Sequence, residues 1–184
     1  MQTELEGIIE QCKANDHRAF EVVYKKYYRI LFGIALRYAG NRTEAEDILQ
    51  DSFIKIFHSV NSFKGKGSFE GWMKRIVQNT AINNYRSNLK FELHIEVSDI
   101  ENKMVDNSFS LIFEVFDEKN TIALLNTLPQ GYRLVLNLYF IDGYTHKEIA
   151  EMLNISIGTS KSQLFKAKNY LKNLIQTQNN EKIV

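Results

Sequence analysis

From Tyr144 to Leu171 the chain reads "YTHKEIAEMLNISIGTSKSQLFKAKNYL". Four lysines, Lys161, Lys166, Lys168 and Lys172, fall within twelve positions with no acid among them. Ammonium groups at that density bind phosphates. Lysine and serine also reach base edges, and an exposed ring such as Phe165 can lie on a thymine methyl. A helix over Ile157–Leu174 turns Lys161, Ser162, Phe165, Lys166, Lys168 and Lys172 outward. Ile157, Ser160, Leu164, Ala167, Leu171 and Leu174 then form its inner stripe. Thr145 can cap a preceding helix, His146–Leu153. Asn154 takes the tight turn, since Asn tolerates the left-handed conformation, and Ser156 caps the second helix. This is the layout of a helix–turn–helix with a DNA-reading second helix. The plainer reading is a helical hairpin with a solvated lysine face. Against it stand the missing acids, which would give i,i+4 support, and Phe165 lying among the lysines.

No other constellation suggests chemistry. His17, His58, His94 and His146 lack metal-ligand spacing, and none pairs with the lone Cys12. They read as surface or packing residues. In "GKGSFEG" the glycines Gly65, Gly67 and Gly71 sit one residue too wide for a dinucleotide loop, and no strand precedes them. No catalytic residue, metal or cofactor is expected. The single cysteine excludes an internal disulfide and fits a reducing compartment. The start, "MQTELEGIIEQCKAND", has neither a basic nor an apolar signal region, and no apolar run reaches 18 residues. The expectation is a cytoplasmic protein with no membrane insertion of its own.

The net charge of +1 conceals an uneven distribution. Residues 1–90 hold 14 Lys and Arg against 10 Asp and Glu. Residues 91–118 hold one base, Lys103, against eight acids, and residues 119–184 eight bases against four acids. Two basic blocks flank an acidic connector, a pattern more informative than the total. A solvated linker is its plainest meaning. One proline in 184 residues and little strict alternation point to an all-α protein. The expected organisation is two small helical domains, 1–90 and 119–178, joined by an irregular acidic linker, 91–118.

The elements that must position any site follow from periodicity. A short helix covers Glu4–Cys12. Asp16 caps a long one, His17–Ala39, with Phe20, Val23, Tyr24, Tyr27, Leu31, Ile34, Ala35 and Tyr38 inward and Gly40 ending it. Thr43 and Glu46 form a capping box for the next helix, whose inner face is Ala45, Ile48, Leu49, Ser52, Phe53, Ile56 and Phe57. Ser68 caps a helix to Ser87, with Phe69, Trp72, Met73, Ile76 and Thr80 inward. "EKNTIALLNTL" is helical, and Pro129 suits the first position of a helix over Gln130–Ile141.

Three outer features remain. Asp47, Gln50, Asp51 and Ile54 share one face, an apolar side chain beside carboxylates that suits a basic partner surface as well as plain solvent. Arg75, Asn79, Ile82 and Arg86 line another, with Lys74, Gln78 and Asn83 beside them. Amides and guanidiniums suit the edges and phosphates of unstacked bases. The loop 61–68, with Phe63, Lys64 and Lys66, can pocket a flipped base or simply connect two helices.

With these residues in view, the chain resembles a known family. "LPQGYRLVLNLYFIDGYTHKEIAEMLNISIGTSKSQLFKAKNYL" looks like region 4 of the bacterial sigma-70 family. "AFEVVYKKYYRILFGIALRYAGNRTEAEDILQDSFIKIF" and "FEGWMKRIVQNTAINNYR" look like region 2. The lack of further helical domains is similar to the extracytoplasmic-function (ECF) group. Asn154 replaces a usual Gly and Ser160 a usual Val. Gln163 stands where Arg or Lys is common, and Asn83 where Asp is usual.

The resemblance implies a transcription-initiation subunit without a catalytic site. Region 2 would bind the polymerase clamp helices through Asp47, Gln50, Asp51 and Ile54. It would take the unpaired −10 element through Phe63, Lys64, Lys66, Lys74, Arg75, Gln78, Asn79, Asn83 and Arg86. Region 4 would bind the polymerase flap and read the −35 duplex through Lys161, Ser162, Phe165, Lys166, Lys168 and Lys172. The acidic linker would imitate nucleic acid in the polymerase cleft, and an anti-sigma factor is the expected further partner. The competing reading is a stand-alone helix–turn–helix regulator with a sensory N-terminal domain. Such a protein needs neither the amide-rich face nor the "EDILQD" face.

Overall fold

The computed structural model describes residues 2–89 and 118–181, and every regular element within them is helical. The expected acidic linker lies outside the described residues except for Glu118. By internal packing the chain divides into two compact units, Met1–Asn84 and Tyr85–Val184, with the division inside the last turns of one helix.

The first unit begins with α1 (Gln2–Lys13). A turn through Asn15, at φ 65°, leads to Asp16, whose carboxylate accepts from the Arg18 N–H at 2.8 Å and opens α2 (His17–Tyr38). Next come α3 (Arg42–Ser59), a 3₁₀ turn at Val60–Ser62, and α4 (Phe69–Leu89), whose start is capped by Ser68 Oγ accepting from the Gly71 N–H at 3.0 Å. Val23, Tyr27, Leu31, Ile34, Ala35 and Tyr38 of α2 are buried with Ala45, Ile48, Leu49, Phe53 and Ile56 of α3 and Met73 and Val77 of α4. The stripes follow the three- and four-residue steps of the sequence.

Three local expectations are corrected. The cap of α3 is not the Thr43–Glu46 box. Asn41 Oδ1 accepts from the Glu44 N–H at 2.9 Å, and the Glu44 carboxylate accepts from the Gly40 N–H at 2.6 Å. Asn is the better N-cap and comes first in the chain, so the helix starts there and Glu46 is left to pair with Arg42 at 2.8 Å. On α4 the buried stripe runs Phe69, Met73, Val77, Thr80 and Ala81, while Trp72 and Ile76 are half-buried. The stripe is thus rotated from the expected one, and Ile82, expected outside, is 4% exposed. Tyr24 is 41% exposed because it lies at the edge of the α2–α3 contact, its ring 4.6 Å from that of Phe53.

The second unit contains α5 (Glu118–Asn126), α6 (Gln130–Leu136), α7 (His146–Leu153) and α8 (Ile157–Glu181). Pro129 is the N-cap of α6, one place before its expected position. Helix α6 runs on into a single π-turn, Asn137–Ile141, where the Asp142 N–H reaches back to the Asn137 carbonyl at 3.0 Å. A uniform α-helix over 130–141 was expected. Instead the buried Asn137 amide donates to the Arg133 carbonyl at 3.0 Å, and a side chain inserted in this way loosens the ladder. Helix α7 opens with a complete capping box between Thr145 and Glu148. Asn154 ends it at φ 56°, ψ 48°, and Ser156 Oγ accepts from the Thr159 N–H at 2.9 Å to open α8. The fully buried leucines Leu125, Leu128, Leu134, Leu136, Leu138 and Leu153 form the core with Ile149 and, from α8, Ala167 and Leu171. Ile157, expected inside, is 46% exposed because it precedes the first turn that reaches α7.

The left-handed turn at Asn154 fixes the angle between α7 and α8. Asn154→Ala should lower the stability of the second unit by about 1 kcal/mol, and Asn154→Gly should not lower it. Urea titration followed by circular dichroism measures both. Equal losses in the two variants would show that the Asn side chain, not the backbone conformation, matters.

Candidate functional site

Helix α8 carries the most specific surface. Its inner stripe, Ser160, Leu164, Ala167 and Leu171, is buried at 0–6% exposure. That burial leaves Lys161, Phe165, Asn169 and Lys172 exposed at four- and three-residue steps along one outer face. Phe165 is 37% exposed, lying outside the apolar stripe of its own helix. Lys161 and Lys172 make no ion pair among the described residues. Lys166 and Lys168 are half-buried on the flanks, and Lys168 Nζ lies 4.8 Å over the Phe140 ring centroid. Ser162 is half-buried too, with its hydroxyl enclosed and no hydrogen-bond partner among the described residues. Of the six candidates, Lys161, Phe165 and Lys172 thus form the open line, with Lys166, Lys168 and Ser162 beside it. Asn169, on the same line, was missed by sequence reasoning although its four-residue step from Phe165 marks it.

Beneath this face lies a polar contact. His146, at the first position of α7, places Nδ1 2.9 Å from Ser160 Oγ, and its ring stacks on Tyr139 at 4.7 Å and 23°. Tyr139 is presented by the π-turn. Burial, and then the charges of Lys161 and Lys168, hold the imidazole pKa below its ordinary value.

In the first unit, Asp47, Gln50, Asp51 and Ile54 are exposed together on α3, with Ile54 at 49%. Asp47 and Asp51 make no ion pair among the described residues. The face borders a groove of about 430 Å³, lined from α2 by Tyr24 and Tyr28 and from α3 by Glu46, Leu49, Gln50, Phe53, Ile54 and Phe57. Sequence reasoning assigned Tyr24 to the core and did not single out Tyr28. The four-residue step Phe20, Tyr24, Tyr28 on one flank of α2 was the available signal.

On α4 the residues Arg75, Asn79 and Asn83 are exposed at four-residue steps, with Lys74 and Gln78 half-buried beside them. Lys74 pairs with Glu70 at 2.7 Å. Arg86, one turn beyond Asn83 on the same helix, is half-buried and donates to the Glu151 carbonyl at 2.8 Å. In the loop Lys64 and Lys66 are exposed, flanking Gly65 at φ 71° and followed by Gly67 at φ 84°. Phe63 is only 8% exposed, its ring 5.1 Å from Phe69 and 5.6 Å from Trp72. It anchors the loop by packing and does not project from it.

No group of three or more His, Cys, Asp or Glu among the described residues is placed to hold a metal ion. No described helix is long and apolar enough to cross a membrane.

Comparison with known proteins gives one pattern for both units. The family description Sigma-70 region 2 matches residues 23–90, and Sigma-70, region 4 matches residues 119–171. An ECF RNA polymerase sigma-E factor of Haemophilus influenzae is 28% identical over 188 residues, covering 93% of this chain and 95% of that protein. An RNA polymerase sigma-H factor of Pseudomonas aeruginosa is 25% identical over 184 residues, covering 95% of each. Among solved structures, a sigma factor of Bartonella quintana in complex with the anti-sigma factor NepR aligns at 21% identity. That alignment covers 85% of this chain and 96% of the other, with a TM-score of 0.47.

The environment of His146 has a consequence for stability. The unfolded chain binds a proton at this residue near pH 6.5, and the folded chain does so only at lower pH. Its contribution is therefore complete above about pH 6.5 and is lost as pH falls through the folded value. Glu148, lowered chiefly by the Thr145 backbone hydrogen bond, adds a further loss only below about pH 4.3. His146→Phe should flatten the stability curve between about pH 7 and 5 while leaving the lower limb. Urea titrations across that range measure it, and an unchanged slope would assign the dependence to other groups.

Proposed function

The chain belongs to the sigma-70 family, in its extracytoplasmic-function group, and we propose from that premise how its surfaces divide the work of a sigma factor. It binds core RNA polymerase and directs promoter-specific transcription initiation. The observation that carries the division of labour is the exposed line Lys161, Phe165, Asn169 and Lys172 on the second helix of a helix–turn–helix. This line enters the major groove of the −35 duplex, with the N-terminal residues over base edges and Lys172 on phosphate. The flanking Lys166 and Lys168 supply positive potential, and Ser162 a hydroxyl that a small rotation makes available. The second unit also meets the polymerase flap.

In the first unit the α3 face, Asp47, Gln50, Asp51 and Ile54, docks on basic clamp helices of the polymerase. Tyr24 and Tyr28 extend the apolar part of that contact. Arg75, Asn79 and Asn83, with Lys74, Gln78 and Arg86, take the unpaired −10 strand. Lys64 and Lys66 hold its backbone at a loop that Phe63 fixes from below. The acidic linker 91–118 occupies a positively lined path in the polymerase. The chain itself contributes no catalytic group to this reaction. It acts in the cytoplasm, and an anti-sigma factor is the restraining partner. The stand-alone regulator accounts for α8 but gives the α3 face no use.

Run-off transcription with purified core polymerase on genomic fragments tests the whole reading. Promoter-specific transcripts are expected, and their absence beside a working control overturns it. Reversing Asp47 and Asp51 to Lys should cost about 3 kcal/mol of core binding, near a hundredfold, with helicity intact. Unchanged affinity in a pull-down removes these residues from the interface. Lys161→Ala and Phe165→Ala should each change which upstream sequences are used, by about 1–3 kcal/mol at the affected base pair. Lys172→Ala should weaken all sequences alike. A uniform loss in all three variants would make α8 a positioning helix and not a reader.

A further inference from the structure

Ser160 is the first residue of the buried stripe on α8, a polar side chain where the rest of the stripe is apolar. It is 0% exposed, on the same stripe as the buried Leu164 and Ala167. An isolated hydroxyl there would be destabilising, and its partner is His146 Nδ1 at 2.9 Å. The imidazole is itself clamped. Its backbone begins α7 immediately after the Thr145–Glu148 capping box, and its ring lies flat on Tyr139 at 4.7 Å. Three separate elements thus meet at one hydrogen bond: the π-turn, the start of α7 and the first turns of α8.

Position is what makes this contact consequential. Ser160 precedes Lys161, the first residue of the exposed line, and Phe165 follows little more than one turn later. An apolar contact at 160 tolerates sliding and rotation of α8 by a fraction of an ångström. A hydrogen bond between a clamped ring and a short hydroxyl does not, because it weakens steeply away from its preferred distance and direction. Burial and the nearby Lys161 and Lys168 charges favour the neutral imidazole, whose Nδ1 can accept or donate without adding a charge at this contact.

We infer that His146 and Ser160 form a polar latch that sets the rotation of α8 on α7, and so determines which bases Lys161 and Phe165 reach. Both are positioning residues that touch no DNA. The inference rests on the reading that α8 enters an upstream duplex element, and makes the specificity of that element depend on a part-buried pair at this contact.

The test uses the full-length chain assembled with core RNA polymerase and a duplex library randomised across the upstream element. Bound duplexes are sequenced, and affinity for one fixed nonspecific duplex is measured in parallel. His146→Phe keeps the ring on Tyr139 and removes the hydrogen bond. His146→Asn loses the ring but places an amide where Nδ1 stood. Ser160→Ala removes the hydroxyl alone. Phe and Ala should broaden the selected sequence, with about a tenfold loss of the specific-to-nonspecific ratio, and change nonspecific binding less than about twofold. Asn should keep the wild-type profile. A structural role without positioning would lower thermal stability in the Phe and Ala variants and leave the selected sequence as it was. That result, or broadening by Asn without broadening by Phe, overturns the latch. No enrichment by the wild-type chain would instead overturn the duplex-reading role of α8, and the latch with it.

Discussion

Everything proposed for α8 depends on burying one stripe of it completely, against α6 as well as α7. Ser160, Leu164, Ala167 and Leu171 meet Ile149, Ala150 and Leu153, and none of these seven is more than 7% exposed. Ala150 and Ala167 are small enough to let the two backbones approach closely. The helices are short of independent stability, so the shared stripe supplies most of what holds them. Once that face is committed, the opposite residues have no intramolecular use. Lys161, Phe165 and Lys172 are therefore exposed by geometry. A ring between two solvated ammonium groups on one open face is a surface that a polyanionic partner could cover.

The same division of faces recurs in the first unit with different chemistry. On α3, burying Ala45, Ile48, Leu49, Phe53 and Ile56 leaves carboxylates and Ile54 outside. On α4, burying Phe69, Met73, Val77 and Ala81 leaves Arg75, Asn79 and Asn83 outside. The ion pairs Glu10–Lys13, Glu21–Lys25, Arg42–Glu46 and Glu70–Lys74 are local i,i+3 or i,i+4 contacts, and none includes Asp47, Asp51, Arg75, Lys161 or Lys172. Of the charges assigned to partners, these five stand outside the ion pairs, while Lys74 is held by Glu70 and Lys168 lies over the Phe140 ring. A net charge of +1 for the whole chain is compatible with nucleic-acid binding for that reason, since binding responds to the local density of unpaired charge and not to the sum.

Where a helix carries a wide apolar stripe and a single strong cap, its sequence reads correctly. Asp16, Thr145, Ser156 and Asn154 each occupy the expected role, because a short polar side chain at a helix end has few alternatives. Reading failed where two residues competed for one role. Asn41, the stronger N-cap, took the role expected of Thr43, and Val77 replaced Ile76 in the core stripe of α4, where both fit the local pattern and only tertiary packing decides. Phe63 shows the same ambiguity at the site, because a ring in a glycine-rich loop can serve a ligand or its own scaffold. The π-turn at Asn137–Ile141 was invisible, since nothing in "NLYFI" departs from a helical pattern. It depends on where the Asn137 amide finds an acceptor.

That π-turn bears on the mechanism more than its five residues suggest. An ordinary α-helical end would rotate Tyr139 and Phe140 differently around the axis, by roughly the part-turn that one inserted residue adds. In the observed conformation Tyr139 lies under His146, and Phe140 under Lys168. The two rings thus support α7 and α8 from the same segment, one through a stacked imidazole and the other through an ammonium group. A local loss of regular hydrogen bonding in α6 is in this way converted into a defined seat for α8. Because π-turns carry an intrinsic cost, this one persists only while the buried Asn137 and the two aromatic contacts favour it together. The face proposed to read DNA on α8 is then coupled to a segment that lies outside the exposed line Lys161, Phe165, Asn169 and Lys172.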